Sequence, residues 1–552
     1  MKRKLILAVM APFALAACMD ASAPKKMTES DLPDISADRI RAHLEFLADD
    51  VMQGRNTGSD EYMIAANYVA THYKMMGLKP GGENGSYMQH VAFSSFQPSS
   101  KESSLVMSAG GKDMDLAHGK DFAFIPSIVK PVKAVSATKV TFVGYGTTKE
   151  VEGLDLTDKV VVYLSGKRSD IKGASAKIML KTAAHEKRSA YAGYAGYYGR
   201  KSLSMLKPDG SPFGGDDGSL STVFLSLDAT NKLLAAAGQK MEDLEKAAKA
   251  DVFKASTFDV NIDLKTKVDV AETVKSPNVV GILEGSDPVL KDEYVVITAH
   301  LDHVGEGKGN CAKRAQDTSK EGDMICNGAM DNASGISTML EAARAFSNDE
   351  KAPKRSVMFI ALTAEEKGLL GAQYYVNYPT VPLKSLVANV NLDMPILLYD
   401  FADVVAFGGE HSTMGEIASK ALSKLGVTLA EDPMPEERLF TRSDHYRFVQ
   451  KGIPSVFLMS GPNEVGKPEG EGLKTFRKFL ATNYHSPADD LFQPIRWDVA
   501  AKFSMAKYLI IKAVANADQK PLWYKDSEFG TRFAPDAEKA ENPAKVEKAE
   551  KE

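Results

Sequence analysis

The chain has 552 residues, of which 44% are hydrophobic and 26% charged, and its formal net charge is -5. Such a length exceeds one compact core and predicts two or three domains. A mildly acidic, soluble composition with no basic stripe argues against nucleic acid as a partner.

The N-terminus reads as an address. Lys2-Arg3-Lys4 precede a short apolar run from 5 to 17, broken only by Pro12, which is too short to span a bilayer and fits a signal peptide. Leu15-Ala16-Ala17-Cys18 is similar to the bacterial lipobox, whose cysteine is lipidated and becomes the mature N-terminus. The expectation is a lipoprotein signal peptide over 1–17, a lipid anchor at Cys18 and a polar tether over 18–35 that carries Pro24 and Pro33. That implies a cell-envelope location facing the periplasm or the exterior, with Met19 compatible with outer-membrane sorting.

The next segment, 36–99, opens the main domain. Ile40, Leu44 and Leu47 share one face of a first helix. Tyr62, Ala65, Ala66, Val69 and Tyr73 share a face of a second over 60–76, which Gly77 stops. From 100 to 275 the character changes to short β-rich runs such as Val140–Gly146 and Lys159–Leu164, separated by Gly/Asp turns, which predicts an inserted β-rich module. Tyr191, Tyr194, Tyr197 and Tyr198 form an aromatic cluster there, either packing the module or covering a cleft. The main domain resumes over 276–516. Strand-like runs Tyr294–Thr298, Val357–Leu362, Leu386–Leu392, Val404–Phe407 and Ser455–Leu458 alternate with helical segments, the last over 497–516. The predicted fold class is therefore α/β, with a mixed, largely parallel central sheet and helices on both faces. Cys311 and Cys326 form an even pair in one loop, which predicts a disulfide in an oxidising compartment. Residues 517–552 read as a charged tail, ending in a solvated Glu/Lys/Ala-rich stretch.

Acidic and histidine residues recur where the apolar runs end. His300 follows Tyr294–Ala299, Glu365-Glu366 follow Val357–Ala364, Asp393 ends Leu386–Leu392, Asp331 opens a helix, and His485 sits in a late loop. Ligands of open α/β sheets bind at the carboxyl ends of strands, so these positions predict one divalent-metal site. Zinc accepts imidazole nitrogen and carboxylate oxygen. Two cations roughly 3.5–4 Å apart need a bridging carboxylate, and a carboxylate outside the coordination shell then serves as general base. Asp302, two positions after His300, suits the acceptor of the second imidazole proton. No Gly-x-Ser-x-Gly elbow, Walker A or dinucleotide fingerprint competes with this reading, and Ser504–Lys507 falls inside a helical pattern.

His300–Gly305, Met330–Gly335, Ala364–Gly368, Asn391–Asp393, Ser443–His445 and His485-Ser486 together resemble the M28 family of zinc peptidases, over roughly 275–515 with a helical segment at 36–95. The inserted block resembles the protease-associated domain that many members carry. The resemblance implies two zinc ions per chain, with His300 and Asp393 on one, Glu366 and His485 on the other, and Asp331 bridging. It makes Glu365 the general base and Asp302 its companion in the catalytic set. Met330 stands where an acid is common, and Arg447 where Pro is common. His303 and His445 read equally as site-lining or structural histidines, and Arg438 and Arg442 as surface charges or carboxylate clamps. The implied activity is an aminopeptidase acting on peptides. The alternatives are a carboxypeptidase or dipeptidase, a single-zinc glutaminyl cyclase-like enzyme, and a binding protein without metals.

Overall fold

The structure is a computed structural model that describes residues 32–214, 221–307, 311, 319 and 322–545. The signal peptide, Cys18 and most of the tether lie outside the described residues. Four parallel strands form the centre of the main sheet, in the order Ser356–Leu362, Tyr294–His300, Leu386–Leu392 and Ser455–Ser460. Ser256–Leu283 adds antiparallel on one side and Asp403–Phe407 on the other. The sheet is thus mixed and largely parallel.

The apolar runs are continuous because both faces of these strands are covered. Side chains alternate across a strand, and Val295, Ile297 and Ala299 enter one core while Val296 enters another. Val357, Phe359 and Ala361 separate from Met358, Ile360 and Leu362 in the same way. Helices Ala37–Leu47, Asp60–Met75, Ser334–Ser347 and Trp497–Asn516 bury their apolar faces in the larger core. Helix Leu370–Asn377 and Phe448 cover the opposite face. The Asp60–Met75 helix starts where Ser59 accepts from the Tyr62 amide, a side-chain N-cap. Among the described residues no helix is long and apolar enough to cross a membrane.

The block after residue 100 builds its own sheet and core, including Val132–Phe142, Val160–Leu164, Ala176–Leu180 and Ser221–Leu225. One 28-residue strand, Ser256–Leu283, serves both sheets. Its first half pairs with Val132–Phe142, and its second half with Met88–Pro98 and Ser356–Leu362. The expected boundary at 275 therefore falls inside one continuous strand, whose pairing with Met88–Pro98 shifts register between Val270 and Thr273, because the module leaves on a strand rather than a linker. A second strand from the block, Ser202–Met205, pairs with Phe93–Phe96.

The stretch expected as a charged tail from 517 is folded over its first part. Trp523 and Tyr524 are buried, the Trp523 indole donates to the Gly452 carbonyl at 2.8 Å, and the Tyr524 hydroxyl donates to Glu416 at 2.8 Å. Two aromatic side chains supply the apolar anchor that the Glu/Lys-rich composition conceals. Residues 546–552 lie outside the described residues. Cys311 and Cys326 are disulfide-bonded.

Candidate metal centre

Strand Tyr294–His300 delivers His300 to the edge of the sheet. Its Nδ1 donates to the Asp302 backbone carbonyl at 3.0 Å, which fixes the tautomer and turns the Nε2 lone pair inward. Nε2 then lies 3.1 Å from Asp331 Oδ1 and 3.1 Å from Asp393 Oδ1. The carboxylate of Asp302 has a different task from the one expected of it. It accepts from the Thr57 hydroxyl at 2.9 Å and from the Glu365 amide at 3.1 Å. The carbonyl already satisfies Nδ1, so the side chain is left to position the Glu365 turn.

Asp331 lies just before helix Ser334–Ser347, its amide and that of Met330 held by Asp489 at 3.0 and 2.9 Å. Asn332 ties this loop to the end of strand Leu386–Leu392 by donating to the Leu392 carbonyl and accepting from the Met394 amide. Asp393 is oriented by Ser443, whose hydroxyl donates to Oδ2 at 2.6 Å. Glu366 Oε1 lies 3.1 Å from His485 Nε2 and 2.9 Å from His303 Nδ1. Asp331 Oδ2 is 3.2 Å from the same His485 nitrogen. The two oxygens of Asp331 therefore face different groups: His300 with Asp393, and His303 with Glu366 and His485.

Ala364, Met394 and His485 take left-handed backbone conformations, at φ 54°, 44° and 54°. Each flanks or is a site residue, where surrounding structure commonly over-determines such strain. Gly328 is at φ 61°, and a Cβ there would stand 2.2 Å from the Asp331 carbonyl oxygen. Only glycine fits that approach.

The donor set fits a divalent cation. Two groups of nitrogen and carboxylate oxygens converge within coordination reach of one another. Buried Glu366 Oε1 and both ring nitrogens of His303 lack an aligned hydrogen bond among the described residues, as expected of atoms placed to bind an ion. Without a cation the acids act on the imidazoles instead. Burial lowers the His300 pKa, but Asp393 and Asp331 outweigh it and hold it well above the ordinary value. Burial opposes ionisation of Asp331 as well, and hydrogen bonds from His300 and His485 overcome it. Glu365 is driven the other way, well above the ordinary carboxylate value, by burial and by its neighbours Asp393 and Glu366.

His303 thus lines the site. His445 is structural: it donates from Nε2 to the Phe440 carbonyl at 2.7 Å, and burial lowers its pKa to about 3. Arg442 pairs with Glu437 at the surface, and Arg447 donates to the Gly368 carbonyl beyond the Glu365-Glu366 turn. Met330 is wholly buried in the larger core. Sequence reasoning missed Asp489, although an acid pair four positions beyond His485 was a usable signal. It also missed Arg55, which is buried and donates to the carbonyls of Leu47, Leu301, Asn327 and Gly328. An isolated arginine in a turn carries no signal for that.

The sequence profile of Peptidase family M28 matches residues 278–510. Aminopeptidase YwaD of Bacillus subtilis is 29% identical over 43% of this chain and 44% of its own length. A probable zinc metalloprotease of Pyrenophora teres is 35% identical over 22% of this chain and 23% of its own. The chain spans about half, or less, of the length of the curated relatives it matches. Among solved structures, an aminopeptidase from Aneurinibacillus sp. aligns at 20% identity with a TM-score of 0.47, covering 89% of this chain and 95% of that one.

Proposed function

We propose that this chain, whose residues 278–510 match the profile of peptidase family M28, is a member of that family and a zinc-dependent exopeptidase that removes N-terminal residues from peptides. The observation that carries the reading is the division of Asp331 between two ligand groups. His300, Asp331 and Asp393 would hold one zinc, and Asp331, Glu366 and His485 a second, with His303 beside it. Bound there, zinc supplies Lewis-acid chemistry for the scissile carbonyl. Asp489 and Asn332 keep the shared carboxylate in place through the backbone. Asp302 and Thr57 hold the Glu365 turn. Burial among other acids raises the proton affinity of Glu365, which suits a base that takes the proton of the attacking water and passes it to the leaving amine.

The name of the Bacillus subtilis relative, an aminopeptidase, supports action at the amino terminus, and that of the Pyrenophora teres relative supports zinc. The n-region and the lipobox-like Leu15–Cys18 support an envelope lipoprotein anchored at Cys18, and the block from 100 to 275 is read as a protease-associated domain. The test is hydrolysis of aminoacyl substrates with free and acetylated amines, before and after chelation. Free-amine substrates should be cleaved, acetylated ones spared, and chelation should abolish turnover until zinc is restored. Equal cleavage of both, or turnover indifferent to chelator, would overturn the reading.

A further inference from the structure

A cavity of about 740 Å³ opens beside Glu366, in the size range of small-ligand pockets. One wall belongs to the peptidase part, with Thr57, Val304 and Lys367. The other belongs to the inserted block, with Ile125, Tyr197 and Tyr198. This roof is fastened rather than hung on a loop. Ile125 follows strand Phe122–Phe124, which pairs antiparallel with Ser221–Leu225, and its amide donates to the Thr222 carbonyl at 3.0 Å. Helix Tyr191–Gly199 carries both tyrosines, and Tyr198 stacks on Phe224 at 5.1 Å between ring centres. Strand Ser202–Met205 then pairs with Phe93–Phe96 of the main sheet. The tyrosine cluster therefore covers a cleft as well as packing the module.

The lining selects by apolar surface. Ile125 is 42% exposed and Tyr197 57%. One exposed apolar side chain is ordinary, but these two face the same cavity, together with the partly buried Leu203 and Val274. A concave apolar surface of this kind beside a reactive centre is where a ligand gains by being covered. The charged groups of the lining are already engaged. Glu366 belongs to the metal centre, Glu272 pairs with Lys201 at 2.9 Å, and Arg200 lies 4.5 Å over the Tyr197 ring. Lys367 sits close enough to the buried Asp302 to favour its ionised form. What the lining adds for a ligand is apolar contact.

The occupant follows from where the cavity lies. An N-terminal residue ends at the metal centre, so the rest of the peptide must run outward from it. Glu366 lines both the centre and the cavity, and Val304 of the wall follows His303. Extended chain advances about 3.3 Å per residue, which brings the first residue of the leaving part into the cavity. We propose that this cavity is the subsite for the residue that follows the scissile bond, and that Tyr197 and Ile125 of the inserted block make it select an apolar side chain there. The inference rests on the peptidase reading above. Partial burial of an aromatic or branched side chain is worth about tenfold in affinity.

The experiment uses tripeptides with alanine at both ends and phenylalanine, leucine, serine, aspartate or lysine in the middle, so that the N-terminal residue never changes. Hydrolysis is measured with the zinc-loaded full chain and its Tyr197→Ser and Ile125→Ser variants. Calorimetric binding of the phenylalanine and serine peptides to zinc-loaded Glu365→Gln runs in parallel. For the parent chain, kcat/KM for phenylalanine or leucine should exceed that for serine about tenfold, mainly through KM, as expected of binding shared by ground and transition states. In either variant that ratio should shrink below about threefold, with the melting temperature unchanged because both side chains are largely exposed. Glu365→Gln should bind the phenylalanine peptide about tenfold more tightly than the serine peptide. Equal cleavage of all five, a preference for aspartate or lysine, or an apolar preference that survives both substitutions would overturn the subsite alone. If nothing is cleaved while Glu365→Gln still prefers the phenylalanine peptide, the peptidase reading fails and the apolar subsite stands. If Glu365→Gln binds both peptides alike, the subsite fails whatever the turnover.

Discussion

Asp302 shows how closely the residues of the centre are specialised. Its backbone carbonyl serves His300, while its carboxylate serves Thr57 and the Glu365 amide. Asp302→Asn should therefore disturb turnover more than metal binding. Expected is a fall in kcat of about tenfold or more with zinc affinity within about threefold. A carboxylate that oriented the ligand histidine would instead cost 10–100-fold in affinity, and competition with a chelating dye distinguishes the two. The imidazoles allow a second prediction. In the metal-free chain burial lowers the His485 pKa, but Glu366 and Asp331 outweigh it and carry it up to about 10. A raised imidazole contributes stability fully below its unfolded value, about 6.5, and that contribution is lost as pH rises through the folded value. Zinc accepts only neutral imidazole. Loading at pH 7 should accordingly release about two protons, from His300 and His485. Titration calorimetry in buffers of different ionisation enthalpy measures this, and heats independent of buffer would contradict it.

At the scale of elements, the strand ends place His300 and Asp393, and the turns that follow do the finer work. The N-terminal turn Asp50–Arg55 fastens them from outside the family-matched region. Buried Arg55 reaches the Leu301 carbonyl between His300 and Asp302 and the Asn327 and Gly328 carbonyls before Asp331, and Asn327 donates back to the Ala48 carbonyl at 2.9 Å. Thr57 continues the same strap to Asp302. Replacing a buried donor leaves its acceptors unsatisfied at about 1–3 kcal/mol each. Arg55→Met should then cost at least about 3 kcal/mol of unfolding free energy and weaken zinc binding, both visible in denaturant titrations with and without metal. A variant within about 0.5 kcal/mol of the parent would show that the strap does not hold the site.

Across the whole molecule, what the sequence made legible follows from periodicity and chemistry. Strand Tyr294–His300 and helix Trp497–Asn516 were readable because doubly covered strands and amphipathic helices leave repeating apolar patterns. His300, Asp331, Glu366, Asp393 and His485 were readable because they are metal-suited residues at the ends of those patterns, and the structure brings all five together. Arg55 and Asp489 were not, because their partners are backbone groups far away in sequence. Trp523 and Tyr524 were hidden by the charged composition around them, and the shared strand Ser256–Leu283 by the habit of placing module boundaries in linkers. Asp331 would serve two ions at once. Zinc stoichiometry of the purified chain and of Asp331→Ala, with folding checked by circular dichroism, tests it most directly. Two zinc ions per parent chain are expected, and the variant should lose the dinuclear site together with activity; a folded Asp331→Ala chain that still holds two zinc ions would contradict the shared role of Asp331.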